Sequence, residues 1–265
     1  MKLTIIGGGN MGGAIARGLV QGSIFQPSDI TVIDVFEAPL KAIQDFNPAI
    51  HVALNDFDSV KTADIVILAV KPWLIHDTIV DIKFNLDYAR QILVSIAAGV
   101  TIDSMNETLL KANDEKSLPV LFRLVPNTAI AVRQSITLMA SKNASPEQES
   151  LLLKIFDELG SAVILPESKL AAGTALTSCG IAYFFRYVRA AMLAGVELGF
   201  YPKEAQNLVV KTMIGAAALL DETKNHPEIE IDKVTTPGGI TIKGLNELEA
   251  NGFSDAIIKA IKASR

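Results

Sequence analysis

Cysteine is nearly absent from this 265-residue chain, and the lone Cys179 excludes an intrachain disulfide and any multi-cysteine zinc site. Histidine is scarce too. His51, His76 and His226 stand far apart without ligand-type spacing, so each reads as a surface or packing residue, and no metal is expected. There is no basic excess: 24 Lys and Arg against 29 Asp and Glu leave a net charge of −5, which argues against a nucleic-acid partner. Although 49% of the residues are apolar, no uninterrupted apolar run approaches the roughly 20 residues a membrane helix needs, so no membrane partner is expected. Strand-forming residues and a glycine loop follow Met1 and Lys2 at once. That is unlike a signal peptide, and the expected location is cytoplasmic.

What is present is a glycine loop in a telling context. In "TIIGGGNMGGAIARGL" a β-prone run precedes Gly7, Gly9 and Gly12, and apolar residues at helical spacing follow them. The glycines fit G-x-G-x-x-G, in which the first makes the turn, the second admits a pyrophosphate and the third lets helix pack on strand. The helix N-terminus then offers unpaired N–H groups and partial positive charge to the phosphates. The alternative is an ordinary tight turn between strand and helix.

Up to residue 165 the pattern alternates strand and helix. Strands are predicted at 2–6, 30–33, 50–53, 65–70, 91–96, 120–125, 136–140 and 162–165; runs such as "IVILAV" are apolar on both faces, as a covered parallel sheet requires. From Glu167 onward long apolar-periodic stretches replace strands, with Gly199 placed to close one helix and Pro202 to open the next. The expected architecture is α/β: an N-terminal Rossmann dinucleotide-binding domain, 1–165, followed by an all-helical dimerisation and substrate domain, 166–265. The apolar surface of that second part on more than one helix face predicts a homodimer; the alternative is a monomer whose helices pack on its own sheet.

Further motifs sit where open α/β sheets bind ligands. Asp34 in "TVIDVFEAP" ends the second strand about 20 residues beyond the glycines, where a carboxylate bonds the ribose 2′-OH and repels a 2′-phosphate. With no Arg or Lys in the next six positions, it leans toward NADH over NADPH, unless it only caps a helix. Ala69, Val70, Lys71 and Pro72 end the fourth strand, and Lys71 is either a ribose or phosphate contact or a solvated side chain. The small residues of "SIAAGV" suit close approach by a flat nicotinamide ring or make a plain tight loop. "TTPGGITIKGLNELEANGF" opens a helix with Pro-Gly-Gly, a loop whose N–H groups form either an anion nest for a substrate carboxylate or a simple helix cap.

Taken in order, "GGGNMGGAIARGL", "AVKP", "SIAAGV", "RLVPNT" and "TTPGGITIKGLNELEANGF" resemble pyrroline-5-carboxylate reductase over nearly the whole chain. The resemblance implies reduction of Δ1-pyrroline-5-carboxylate to L-proline by NADPH or NADH, a Rossmann domain, and a helical domain interlocked in a homodimer, often assembled into decamers. It places the cofactor on Gly7, Gly9, Asn10, Met11, Gly12 and Asp34, with Ala69, Val70, Lys71, Pro72, Ala97, Ala98 and Gly99 lining the nicotinamide side. It places the substrate carboxylate on the loop of Gly238, Gly239 and Ile240 and the ring nitrogen on Thr241, the catalytic candidate. Glu167, Asp232 and Lys233 align with positions near the bound product.

The chain departs from the family pattern in three places. Val125 and Ala129 stand where the family has Met and Pro, and "TSCGIA" stands for S-G-S-G-P-A, so Ile181 replaces a proline that starts or kinks the helix. Asp34 stands where many members carry small polar or basic residues. Two other readings share the motifs: a related imine or β-hydroxyacid reductase with another substrate, and a nucleotide-binding regulator without turnover. Nucleophilic chemistry at Cys179 is disfavoured, since a cysteine in an apolar helical run is usually buried and inert.

Overall fold

The computed structural model describes residues 1–111 and 118–265. Its residues fall into two compact units, Met1–Ser178 and Cys179–Arg265. In the first, chain order runs β1 (Leu3–Ile6), α1 (Asn10–Leu19), β2 (Ile30–Asp34), α2 (Glu37–Phe46), β3 (His51–Leu54), β4 (Ile65–Leu68), α3 (Ile75–Ile82), β5 (Ile92–Ser95) and α4 (Ile102–Leu109). It continues with β6 (Val120–Val125), β7 (Ser135–Lys142), α5 (Pro146–Asp157), β8 (Gly160–Ile164) and α6 (Glu167–Thr174).

The strands form one sheet in the order β3-β2-β1-β4-β5-β6-β7-β8. Because β1 lies between β2 and β4, successive crossovers diverge there, which opens a crevice at the carboxyl ends of the strands. Every residue of β1, β4 and β5 is buried, as strands covered on both faces require. One face packs Ile15 and Leu19 of α1 with Phe156 of α5, and the other packs Ile79 of α3 with Met105 of α4. β7 departs from the expected parallel arrangement. It pairs antiparallel to β6, with Leu124 opposite Met139, while β8 runs parallel to β7. The short connection from Pro126 to Gln134 allows this, since only a parallel return needs a long crossover.

The first unit extends past the boundary expected at 165. Leu170 of α6 is fully buried, and a Cβ on Gly173 would stand 2.4 Å from Leu138 Cδ1, so α6 is packed onto β7. A π-helical turn, Ala175–Cys179, follows. The change of helical geometry is therefore present although Ile181 replaces the proline.

The second unit is helical: α7 (Gly180–Glu197), α8 (Pro202–Thr223), α9 (Pro227–Lys233), α10 (Thr241–Ala250) and α11 (Phe253–Ala263). Gly199, at φ +99°, ends α7, and Pro202 opens α8. The two helices approach so closely at Gly195 that a Cβ there would lie 2.9 Å from Ala205 Cβ. Gly180 and Ala205 are the only buried residues of this unit. Phe184, Phe185, Leu193, Leu208, Ile214 and Ile258 are each at least half exposed. No helix among the described residues is long and apolar enough to cross a membrane.

Candidate functional site

The glycine loop leaves β1 with Gly7 at φ +105°, a conformation that L side chains rarely adopt. Gly7 donates its N–H to Ile33 O (2.7 Å), and a Cβ there would press within 2.6 Å of Ala69 O. A Cβ on Gly12 would stand only 1.9 Å from Gly7 O. Gly9 differs: nothing lies within 4 Å of where its Cβ would be, and both it and Asn10 are exposed. No side chain caps α1, so the N–H groups of its first turn face outward from the open side of the loop, with Met11 half-buried behind them. This cradle fits a pyrophosphate: one glycine turns, one leaves room, one lets helix meet strand.

Asp34 closes β2 beside this loop. Its Oδ2 accepts from Gly8 N (2.7 Å) and its Oδ1 from Phe36 N (3.0 Å), so it braces the glycine turn and the entry to α2 at once. Each carboxylate oxygen keeps a second acceptor site, enough for the two hydroxyls of a ribose. Beside it, directly after β3, Asn55 has φ +50° and donates its N–H to Asp34 O (2.9 Å), leaving an exposed carboxamide at the same edge. Sequence reasoning passed over Asn55; the one signal was an "LND" turn directly after the strand paired to β2.

At the end of β4, Ala69 N bonds Ile6 O (2.8 Å), with Ala69 and Val70 half-buried, Lys71 exposed, and Pro72 opening a short 3-10 turn. At the end of β5, Ala97 is buried, Ala98 is exposed and Gly99 adopts φ +79°. These three segments and Asp34 share the carboxyl edge of neighbouring strands, so the structure gathers the sequence-selected residues of the first unit along one rim.

Glu167 also belongs to this unit. Its Oε1 accepts from Arg123 (2.8 Å) and from Ile102 N (2.8 Å), so it is engaged within the chain itself. Asn127 of "VPNT" is buried, accepts from Ala129 N (3.0 Å) and takes its own N–H to Ser135 Oγ (3.1 Å). Ser178 Oγ donates to Pro126 O (3.2 Å), which ties the π-helical turn to that loop.

The second unit presents its own candidate loop. Gly238 sits at φ +71°, and Gly239 donates its N–H back to Thr236 O (2.9 Å). The Gly239 N–H is thus committed to the turn, and this glycine contributes by lacking a Cβ that would stand 2.7 Å from Thr236 Oγ1. Ile240, 84% exposed, precedes α10, whose first turn begins with exposed Thr241 and carries no acidic residue. The outward N–H groups of that first turn offer an anion the positive end of the helix. Asp232 and Lys233 are exposed nearby in sequence, Lys233 pairing with Glu230 (2.7 Å). Among the described residues no three His, Cys, Asp or Glu side chains gather as a metal site.

Two family profiles match the chain, and the C-terminal one begins within the first compact unit, at α6. The profile described as "Pyrroline-5-carboxylate reductase dimerisation" matches residues 167–265, and "NADP oxidoreductase coenzyme F420-dependent" matches residues 2–99. Pyrroline-5-carboxylate reductase 1 of Dictyostelium discoideum is 37% identical over 99% of this chain, which spans 48% of that longer protein. Pyrroline-5-carboxylate reductase of Methanosarcina acetivorans is 35% identical over 100% of this chain and 97% of its own length. Among solved structures, a pyrroline-5-carboxylate reductase from Coxiella burnetii superposes with TM-score 0.90 at 29% identity, covering 99% of this chain and 95% of that one. With glycine cradle, carboxyl-edge rim and Pro-Gly-Gly loop all in place along a full-length match, the chain belongs to the pyrroline-5-carboxylate reductase family.

Proposed function

We propose that this protein reduces Δ1-pyrroline-5-carboxylate to L-proline with NAD(P)H, acting on a C=N bond. The observation that carries the reading is the complete pair of loops on a full-length family match: a Cβ-free cradle at the open end of α1 and a Pro-Gly-Gly turn at the open end of α10.

When bound, the reduced nicotinamide supplies the hydride for the ring's imine carbon. Gly7, Gly9, Asn10, Met11 and Gly12 would hold its pyrophosphate, and Asp34 would hold the adenosine ribose. Ala69, Val70, Lys71 and Pro72, together with the small residues Ala97, Ala98 and Gly99, would line the nicotinamide. The carboxylate of the substrate sits on the outward N–H groups after Gly238 and Gly239, at Ile240 and Thr241, with Asp232 and Lys233 bordering the turn. Thr241 Oγ accepts a hydrogen bond from the iminium N–H and so orients the ring; hydride addition to the protonated imine gives the neutral secondary amine directly, and that amine takes its last proton from water. An iminium carbon needs no strong protein acid to accept hydride, which agrees with the absence of a histidine from these loops. Holding both reactants in register supplies most of the remaining acceleration.

NADH is the favoured coenzyme on this reading, because a carboxylate at Asp34 repels a 2′-phosphate. The division of labour we propose is cofactor on 1–165 and substrate and dimerisation on 166–265. The protein is a homodimer, supported by the exposed apolar side chains of α7 and α8; assembly of five such dimers into a decamer is the larger state we infer. Steady-state oxidation of NADH and NADPH in the presence of pyrroline-5-carboxylate tests the reading. Turnover with NADH ahead is expected; no turnover with either coenzyme overturns it.

A further inference from the structure

The loop from Ile96 to Thr101 leaves β5 anchored at its start, with Ile96 N on Leu68 O (3.1 Å) and Ala97 N on Ser95 Oγ (3.3 Å). Beyond that, no hydrogen bond from the N–H groups of Ala98, Gly99, Val100 or Thr101 is present among the described residues. The exit is fixed elsewhere. Ile102 N, the first amide of α4, donates to Glu167 Oε1 (2.8 Å), the first residue of α6, and the same oxygen accepts from Arg123 (2.8 Å) on β6.

Arg123 stands opposite Ser95 in the sheet, directly beside the strand from which the loop leaves. Its side chain is 11% exposed and its Nε is buried without a partner, so Glu167 is what balances this charge among the described residues. A single carboxylate oxygen therefore joins the end of β6, the start of α4 and the start of α6. Its negative charge also suits the N-terminal ends of both helices.

We propose that Arg123 and Glu167 are a positioning pair for the reductase reaction: the guanidinium fixes the carboxylate, and the carboxylate fixes the far end of the Ala97–Gly99 loop, which would line the nicotinamide. The proposal rests on the reductase reading for its kinetic consequence, but its structural half is independent of it. It also differs from direct substrate contact by Glu167.

The test uses Glu167→Ala and the double variant Arg123→Met/Glu167→Leu, in which apolar side chains replace the buried pair and preserve folding. Amide hydrogen exchange of the segment 96–104 is measured in the whole protein without ligands. Both variants are expected to exchange at Ile102 about tenfold faster than wild type, since both lose the charged acceptor. Turnover with pyrroline-5-carboxylate is expected to fall about tenfold to a hundredfold in kcat, with similar losses in the two variants and little change in cofactor affinity. The sole tryptophan, Trp73, serves as energy donor for that affinity measurement. Exchange or kcat restored to wild type in the double variant would show mere charge compensation and overturn the proposal. So would a rise in substrate KM alone, with exchange unchanged, which marks direct contact. Failure of wild type to turn over would sink the reductase reading, while the exchange result would still decide whether the pair holds the loop.

Discussion

The two units bury their apolar residues in opposite ways. The sheet unit encloses two clusters of aliphatic and aromatic side chains, with Phe25, Phe122 and Phe156 at 2% exposure or less. The helical unit is just as rich in such residues yet buries only Gly180 and Ala205, leaving Phe185 63% and Ile214 57% exposed. A single sheet covered by helices can close its own core. Long helices apolar on several faces need another surface to cover them, and a second copy of the same helices supplies one. One unit therefore closes its own core, and the other leaves its apolar faces open for a partner.

The largest expected effect breaks this contrast in the helical unit. Replacing Phe184 and Phe185 together by Glu is expected to raise the dimer dissociation constant by about a hundredfold or more, read as a shift to monomer mass in light scattering. An unchanged mass would place the apolar surface outside the interface. Gly12→Ala attacks the other unit. A methyl group 1.9 Å from Gly7 O forces α1 off the turn, and overpacking of that kind is expected to weaken cofactor binding by about ten- to a hundredfold without changing the oligomer. Calorimetric titration with NADH checks it.

The smallest effect is a pH signature of the sheet unit alone. Burial pushes the Tyr88 phenol up to about 12, and its hydroxyl donates to Leu109 O (2.7 Å). The folded state holds this proton more tightly than the unfolded chain, whose tyrosine titrates near 10. Stability from this group is thus complete below about pH 10 and is lost as pH rises toward 12. Denaturant midpoints measured across that range are expected to fall less steeply in Tyr88→Phe than in wild type.

Much of this was legible in the sequence because it depends on local pattern. β1, β4 and β5 announce themselves as short apolar runs, and the spacing of Gly7, Gly9 and Gly12 marks the loop, in which Gly7 and Gly12 are the positions a side chain could not fill. Gly199 and Pro202 punctuate the helices as residues of their type do. What escaped depends on partners distant in the chain. Strand periodicity carries no direction, so the antiparallel entry of β7 was hidden. The first compact unit runs on to 178 because α6 docks through Leu170 and Gly173, a packing fact with no local signature. Asp34 was readable as a candidate ribose ligand but not as the acceptor for Gly8 N, an amide 26 residues earlier in the chain. Gly239 was readable as a nest residue, yet its N–H closes a turn on Thr236. The Glu167 contacts join residues 44 and 65 positions away, a distance no motif spans.

Under the proposed function the glycine cradle would hold the coenzyme and the loop before α10 would present the substrate. Thr241→Ala tests this most directly, since Thr241 is exposed within its own unit and its loss leaves the cradle untouched. Steady-state NADH oxidation with pyrroline-5-carboxylate and NADH affinity are measured side by side in wild type and variant. The account expects wild-type turnover, a fall of about a hundredfold in the variant's rate, and unchanged NADH affinity. A variant that turns over as fast as wild type, or that loses NADH binding along with its rate, would contradict it.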